Sequence, residues 1–214
     1  MALPFAVLIS GRGSNLLALE RATRDGRIDG RIVLVLSDRA DAAGLASARE
    51  LGLATAVLEP SRGEDRAAYA ARLAARLGES GARLIVLAGF MRILDGAFVR
   101  GFEGRLLNIH PSLLPAYRGL HTHRRVIEAG EKVHGCTVHF VTEELDAGPR
   151  VIQGRLALHP GEDEAALSAR VQRLEHIIYP RAVGWFAEGQ LVCRDGAAFI
   201  GGRASGPEIV EEDP

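Results

Sequence analysis

Short apolar runs alternate with amphipathic stretches along the first half of the chain. Each run has the length of a buried strand, and the stretches between the runs repeat apolar residues with helical spacing. We predict strands at residues 5–10, 32–37, 55–58 and 84–88 and in the run that ends at His110, with helices at 15–24, 40–51, 66–77 and 95–100. Strands separated by helices predict a parallel sheet that is covered by helices on both faces.

The pattern changes after about residue 133. Two strand-like runs, 136–141 and 151–158, follow one another without a helix between them, which predicts an antiparallel pair. A long segment at 163–187 predicts a closing helix that breaks near Pro180, and short strands precede an acidic tail, 204–214, that we expect to be flexible. The sequence therefore predicts an α/β protein with three αβα layers, a mostly parallel Rossmann-like sheet and an antiparallel C-terminal portion, in a single domain spanning residues 1–214.

Composition narrows the class of partner. The 214 residues carry a net charge of −1 with acids and bases mixed along the chain, so there is no electrostatic footprint for nucleic acid or for an anionic membrane. The first apolar run has no basic residue before it, and no window has the length needed to cross a bilayer. The two cysteines, Cys136 and Cys193, lack a C-x-x-C pattern, which indicates reduced thiols in a cytoplasmic protein. We expect a small-molecule partner. A nucleophilic role for Cys136 is an alternative, although no neighbouring residue in the sequence is arranged to ionise its thiol.

Two polar side chains lie at the end of the apolar run 106–110. Asn108 and His110 are two residues apart, so they point to the same side of an extended strand. Pro111 then prevents the strand from continuing. Because ligands collect outside the carboxyl ends of strands in open α/β sheets, we interpret this amide and imidazole as candidate chemistry. A structural histidine that pairs with a backbone carbonyl is the alternative for His110.

The turn after the first predicted strand is a candidate anion site. It reads Ser-Gly-Arg-Gly-Ser-Asn-Leu from position 10, and its two glycines let the backbone approach a ligand closely. Ser14 or Asn15 is placed to cap the helix that follows, whose free amides attract a phosphate. Leu16 stands where the dinucleotide fingerprint has a third glycine, so the match is incomplete. Asp38 follows the next strand, where the fingerprint has its ribose-binding acid, so binding of a nicotinamide cofactor is an alternative. A tight turn without a ligand is the third interpretation.

A polar turn after the run 136–141 contributes a carboxylate. Asp146 precedes an Ala-Gly-Pro sequence that fixes the direction of its side chain. If that direction is towards His110, the carboxylate favours the protonated imidazole and makes it a usable acid near neutral pH. We interpret the neighbouring Glu143 and Glu144 as part of a solvated loop.

Six short motifs follow one another in a recognisable order. They are Ile-Ser-Gly-Arg-Gly-Ser-Asn-Leu from residue 9, Leu-Ala-Gly-Phe-Met-Arg-Ile-Leu from 87, residues 106–115, Gly-Leu-His-Thr-His from 119, His-Gly-Cys-Thr-Val-His-Phe-Val from 134 and Asp-x-Gly-Pro from 146. Together, over about residues 7–186, they resemble the folate-dependent phosphoribosylglycinamide formyltransferase family of purine biosynthesis. The resemblance implies the formyltransferase fold and transfer of a formyl group from 10-formyltetrahydrofolate to the amine of 5-phosphoribosyl-glycinamide.

The resemblance also implies roles for individual residues. The implied catalytic set is Asn108, His110 and Asp146. The implied nucleotide contacts are Gly13, Ser14, Asn15 and Glu175, and the implied folate contacts are Arg66, Met91, Arg92, Ile93, Leu94, Asn108 and Val141. Residues from about 1 to 105 would form the phosphate- and nucleotide-binding half, and those from about 106 to 200 the catalytic and folate-binding half.

Two further expectations concern the loop at 113–125. We expect this loop to be a mobile cover that closes over the substrate. His121 and His123 have no third ligand nearby in sequence, so no metal is expected there or elsewhere in the site. Both a monomer and a homodimer remain open.

Related formyltransferases are the alternatives in the same class. Methionyl-tRNA formyltransferase is similar around Asn108, His110 and Asp146 but carries an added basic C-terminal domain, whereas this chain ends in an acidic stretch. Formyltetrahydrofolate deformylase would use the same three side chains with water as the acceptor, yet it usually has an added N-terminal domain and lacks the turn at residues 10–15. A catalytically silent binding module is the remaining alternative, and retention of all three polar residues argues against it.

Overall fold

A central β-sheet carries helices on both faces in the computed structural model of the chain, which describes residues 1–204 and 208–211. The strands are β1 Leu3–Ile9, β2 Gly30–Ser37, β3 Thr55–Val57, β4 Leu84–Leu87, β5 Leu106–His110, β6 Val133–Phe140, β7 Arg150–Ala157, β8 Leu191–Arg194, β9 Ala197–Ile200, β10 Arg203–Ala204 and β11 Glu208–Glu211. The helices are α1 Ser14–Arg24, α2 Ala43–Glu50, α3 Arg66–Ser80, α4 Gly96–Gly101, α5 Thr122–Glu128 and α6 Glu164–Ala187. The predicted alternation of strand and helix over the first half is confirmed.

The order of the strands places a crevice in the middle of the main sheet. Over the described residues this sheet has eight strands in the order β11-β7-β6-β5-β4-β1-β2-β3, and β8 to β10 form a separate antiparallel sheet. β1 pairs in parallel with β2 on one side and with β4 on the other, and this reversal opens a crevice at the carboxyl ends of β1 and β4. β6 is antiparallel to both β5 and β7, which confirms the predicted antiparallel portion.

Two apolar cores form the contacts between the sheet and its helical layers. On one face the alternate β1 residues Phe5, Val7 and Ile9 pack with residues of α1, α2 and α6. On the other face Ala6 and Leu8 pack with residues of α3 and α4. The strand is therefore buried on both sides, which is why its sequence is a continuous apolar run without alternation. The three αβα layers are confirmed.

α6 continues through Pro180, so the predicted break near this residue is wrong. A proline inside a helix removes one backbone hydrogen bond and crowds the preceding turn. Here Tyr179 and Val183 are fully buried, and the Tyr179 hydroxyl lies 2.9 and 3.0 Å from the carbonyl oxygens of Leu87 and Leu107. Tertiary contacts therefore stabilise the helix across the proline. Neither α6 nor any other helix in the described ranges is long and apolar enough to span a membrane.

Part of the predicted flexible tail is a strand. Residues 208–211 form β11, which pairs in parallel with β7 at the edge of the main sheet. The prediction of a flexible tail over 204–214 is therefore wrong for these residues, because an open sheet edge offers backbone partners to a passing segment. Residues 205–207 and 212–214 of the predicted tail lie outside the described residues.

Candidate active site

A cleft of about 370 Å³ opens at the carboxyl ends of β1 and β4. The turn after β1 forms one wall, and residues after β4 and along α6 form others. The lining residues are Ser10, Gly11, Arg12, Gly13, Ser14, Asn15, Ala88, Gly89, Met91, Ile109, Pro111, His123, Ser168, Gln172 and Glu175. The four predicted nucleotide contacts, in the turn at 13–15 and at Glu175, all lie in this lining although they are far apart in sequence.

The N-terminus of α1 lies at the cleft without a side-chain cap. The N-cap residue is Gly13, in the left-handed conformation with a φ of 78°. The predicted capping by Ser14 or Asn15 is therefore wrong, because Ser14 is already the first helical residue. Gly13 also lies against Gly44, where an added Cβ would come within 2.8 Å of the Gly44 Cα. Glycine is required here, and the amides of the first turn are left for an anion.

Asn15 and Glu175 form a buried polar pair beside this turn. The Asn15 Nδ2 donates to Glu175 Oε2 over 2.8 Å. Burial raises the pKa of the Glu175 carboxyl, and the hydrogen bond from Asn15 opposes that shift. The Asn15 Oδ1 is buried without a hydrogen-bond partner in the described part of the chain. Such an atom costs free energy unless a ligand donates to it, so this pair is suited to hydroxyl or amine groups of a bound molecule.

The predicted acid and its carboxylate partner meet next to the cleft. His110 lies between the lining residues Ile109 and Pro111, and its Nδ1 is 3.4 Å from Asp146 Oδ2. The His110 Nε2 donates to the carbonyl oxygen of Tyr117 over 3.0 Å. Oxygen acceptors therefore face both ring nitrogens, an arrangement that only the protonated imidazole can satisfy in full.

The hairpin loop between β6 and β7, residues 141–149, directs Asp146 towards His110. The Phe140 amide donates to the Pro149 carbonyl over 2.9 Å, and Gly148 lies so close to the Phe140 carbonyl that an added Cβ would collide with it. Asp146 itself has a φ of 50°, a left-handed conformation that aspartate tolerates better than most residues. The carboxylate therefore faces His110, a direction that the sequence left open.

His139 completes the cluster, and its role was not predicted from the sequence. The antiparallel register of β5 and β6 places His139 opposite Asn108. The His139 Nδ1 donates to the Phe140 carbonyl over 2.9 Å, which leaves its Nε2 as the acceptor for the Asn108 amide at 3.2 Å. Burial lowers the pKa of His139, which favours the neutral ring that this pattern requires. The missed signal was the alternation within 136–141, which puts one polar ring on the face that Asn108 shares.

The segment predicted to contact a folate divides into exposed and buried residues. Met91 and Ile93 follow β4 with 71% and 59% of their surface exposed. Leu94 and Val141 are partly buried and pack against the core on the side of α3. Arg66, the first residue of α3, is exposed and does not line the cleft. Met91 and Ile93 thus offer apolar surface to a flat heterocycle.

Asp38 is held by protein groups, which argues against a dinucleotide site. Its two carboxylate oxygens accept hydrogen bonds from Ser10 Oγ over 2.6 Å and from Arg92 Nε over 2.8 Å. A ribose hydroxyl would have to displace one of these donors. Leu16, at the position of the missing third glycine, is fully buried in the core.

The remaining nucleophile and metal candidates have other surroundings. Burial raises the pKa of the Cys136 thiol well above its usual value, which disfavours the thiolate. His121 is exposed, whereas His123 Nδ1 lies 3.0 Å from the Nε2 of buried His134. Among the described residues, no group of three or more His, Cys, Asp or Glu side chains is placed to hold a metal ion.

Comparison with known proteins gives a consistent result. The family described as formyl transferase matches residues 3–183. The chain is 48% identical over 202 residues to the phosphoribosylglycinamide formyltransferase of Escherichia coli strain K12, which covers 94% of this chain and 95% of that protein.

Solved structures agree with the sequence comparison. The phosphoribosylglycinamide formyltransferase of Coxiella burnetii, solved in complex with CHES, superposes with a TM-score of 0.93 at 43% identity, covering 98% of this chain and 99% of that one. Glycinamide ribonucleotide transformylase 1 of Symbiobacterium toebii superposes with a TM-score of 0.90 at 45% identity, covering 93% and 94%.

Proposed function

The chain belongs to the formyl transferase family, and from this premise we propose how its side chains carry out the reaction. The protein transfers the formyl group of 10-formyltetrahydrofolate to the amine of 5-phosphoribosyl-glycinamide, a step of purine biosynthesis that yields the N-formyl product and tetrahydrofolate. The observation that carries the catalytic assignment is the convergence of an amide, an imidazole and a carboxylate at one strand end, with Asn108, His110 and Asp146 as their sources.

All three side chains take part in the transfer. The substrate amine attacks the formyl carbon, a C–N bond forms, and the bond from that carbon to folate N10 breaks. Negative charge builds on the formyl oxygen, where the amide of Asn108 and protonated His110 donate hydrogen bonds. His110 then delivers its proton to the departing N10. Asp146 stabilises the protonated ring and, through a water molecule, takes part in removing the proton that the amine loses.

His110 must exchange one hydrogen bond before it can act. Its Nε2 donates to the carbonyl of Tyr117. Of the segment 113–125 that the sequence predicted to be a mobile cover, residues 122–125 belong to α5, and Tyr117 lies in the part before this helix. The formyl oxygen or the folate nitrogen needs this same donor. The loop therefore shifts when substrates bind, and His110 transfers its hydrogen bond from Tyr117 to the substrate.

The two substrates occupy opposite walls of the cleft. The phosphate binds at the N-terminus of α1, at Gly13, Ser14 and Asn15, and ribose hydroxyls donate to Asn15 Oδ1 and to Glu175. The folate contacts the segment Met91, Arg92, Ile93 and Leu94. Asn108 and Val141 provide further contacts, and Arg66 lies near the carboxylate tail of the folate. The proposed steps use the side chains and backbone amides named here, and no step is assigned to a metal. Free thiols at both cysteines agree with a cytoplasmic location.

The test of the proposed function is whether folate release depends on the amine. Purified protein is mixed with 10-formyltetrahydrofolate in the presence and in the absence of 5-phosphoribosyl-glycinamide. We expect tetrahydrofolate and formylated product to form in equal amounts, and only when the amine is present. Release without the amine would identify a deformylase, and no release in either mixture would identify a binding module.

Replacing Arg12 by alanine is expected to raise the KM for 5-phosphoribosyl-glycinamide about 10-fold with little change in kcat. Arg12 is the only lysine or arginine among the residues that line the cleft. It lies in the turn at residues 10–15, which we call the phosphate turn. A charged contact to the phosphate persists from the bound substrate to the transition state, so its loss weakens binding without slowing chemistry. Steady-state kinetics at low and high salt measure the effect, because salt screens the contact.

Arg21 provides the matched control for Arg12. It is exposed in the last turn of the same helix that begins at the cleft, and Arg21→Ala should leave KM unchanged. A substrate that lacks the phosphate group supplies a second arm, on which Arg12→Ala should have no effect. Equal losses with and without the phosphate would contradict the contact.

A further inference from the structure

Asp38 is a buried carboxylate in a polar network between the two substrate-binding segments. The residue follows β2 and is 6% exposed. Its Oδ1 accepts from the Ser10 hydroxyl over 2.6 Å, and its Oδ2 accepts from Arg92 Nε over 2.8 Å. Ser10 begins the phosphate turn, and Arg92 belongs to the segment that contacts the folate. A single carboxylate therefore bridges both segments.

Ser10 extends this network to the backbone after β4. Its hydroxyl oxygen accepts from the Met91 amide over 2.9 Å while the hydroxyl proton is donated to Asp38, so the hydroxyl is fixed in both directions. The Ser10 amide donates to the Gly89 carbonyl over 3.1 Å. The first residue of the phosphate turn is thereby tied at two points to the segment that precedes Arg92.

Arg92 is also held by an aromatic ring. Its guanidinium carbon lies 5.2 Å from the centre of the Tyr69 ring, within the range of a cation–π interaction. The Tyr69 hydroxyl donates to the Leu58 carbonyl over 3.0 Å, which fixes the ring. Held by this carboxylate and this ring, the Arg92 side chain supports the backbone from Met91 to Ile93.

We propose that Asp38 is a positioning residue that sets the spacing between the phosphate turn and the folate segment, and thereby the affinity for both substrates. The inference rests on the proposed function, because it takes both segments as binding sites. Asp38 contacts neither substrate and acts through Ser10 and Arg92. A carboxylate suits this place because it accepts from a hydroxyl and a guanidinium at once. An amide of the same shape has one acceptor and turns a donor towards one of these groups.

Replacing Asp38 by asparagine is expected to raise the KM for 10-formyltetrahydrofolate about 10-fold and the KM for 5-phosphoribosyl-glycinamide about 3-fold. We expect kcat to stay within about 3-fold of the original. The chemistry is spared because Asn108, His110 and Asp146 are unchanged. Ser10→Ala should give the same pattern. The double variant Ser10→Ala with Asp38→Asn should raise each KM by less than the product of the two single-variant increases, because both substitutions remove the same hydrogen bond. Calorimetric binding of tetrahydrofolate to each variant measures the folate part without turnover.

Asp41 offers a matched control three residues further along. It also pairs with an arginine, Arg39, but its side chain is 72% exposed, and Asp41→Asn should leave both KM values unchanged. A folded Asp38→Asn protein that keeps both KM values, or that loses only thermal stability and kcat, would overturn the inference. If the unmodified protein shows no amine-dependent transfer, the proposed function fails instead, and tetrahydrofolate binding still reports on Asp38.

Discussion

Replacing His110 by alanine is expected to lower kcat for formyl transfer by about 10³-fold while the KM for 5-phosphoribosyl-glycinamide stays within about 3-fold. The ring supplies the proton for the departing folate nitrogen and a hydrogen bond to the formyl oxygen, and both matter most as the transition state forms. Nucleotide binding depends on Asn15 and Glu175, which hold each other through their own hydrogen bond, so it should persist. Steady-state kinetics measure the loss in kcat, and calorimetric binding of 5-phosphoribosyl-glycinamide measures substrate affinity separately.

His159 is the matched control for this variant. It is an exposed histidine in the loop after β7, and His159→Ala should keep normal kinetics. Because the His110 side chain is only 8% exposed, circular dichroism and thermal unfolding must show that the His110→Ala protein is folded. Near-normal turnover in the folded variant would remove His110 as the acid.

The parts of the fold and site that follow local rules could be predicted from the sequence. β1 is recognisable because burial on both faces demands an unbroken apolar run, and Pro111 marks the end of β5 because it cannot continue a strand. Asn108 and His110 share a side because side chains alternate along a strand. The turn at 10–15 depends on neighbouring residues and was predicted from them, although its capping was not. That the Ala-Gly-Pro sequence fixes the Asp146 side chain was predicted, and its direction towards His110 was left open.

The parts that depend on register or on distant contacts could not be predicted in this way. His139 contacts Asn108 only through the antiparallel register of β5 and β6, which no local pattern encodes. Pro180 stays within α6 because Tyr179 is anchored to β4 and β5, strands far away in sequence. Asp38 resembles the ribose-binding acid of a dinucleotide site in sequence, and only the three-dimensional contacts with Ser10 and Arg92 reveal its other use.

Replacing Asp146 by asparagine is expected to lower kcat by about 10²- to 10³-fold while the KM values for both substrates stay within about 3-fold. The substitution keeps the shape and leaves an oxygen for the Gly119 amide, which donates to Asp146 over 3.0 Å. It removes the negative charge that lies 3.4 Å from His110 Nδ1, so the protonated ring loses its counter-charge. The ring then delivers its proton to folate N10 without a carboxylate beside it, so the loss falls on the chemical step. Steady-state kinetics with each substrate varied in turn measure kcat and both KM values.

A change at Glu144 separates the charge effect from any effect on the hairpin. Glu144 lies in the same hairpin and pairs with Arg118 at the surface, so Glu144→Gln alters a carboxylate there without touching His110. We expect its kcat to match that of the unmodified protein. If Asp146→Asn raises both KM values as strongly as it lowers kcat, the carboxylate acts by holding the loop through Gly119 and not by stabilising the acid. If kcat is unchanged, the proton reaches folate N10 without help from Asp146, and the proposed relay is wrong.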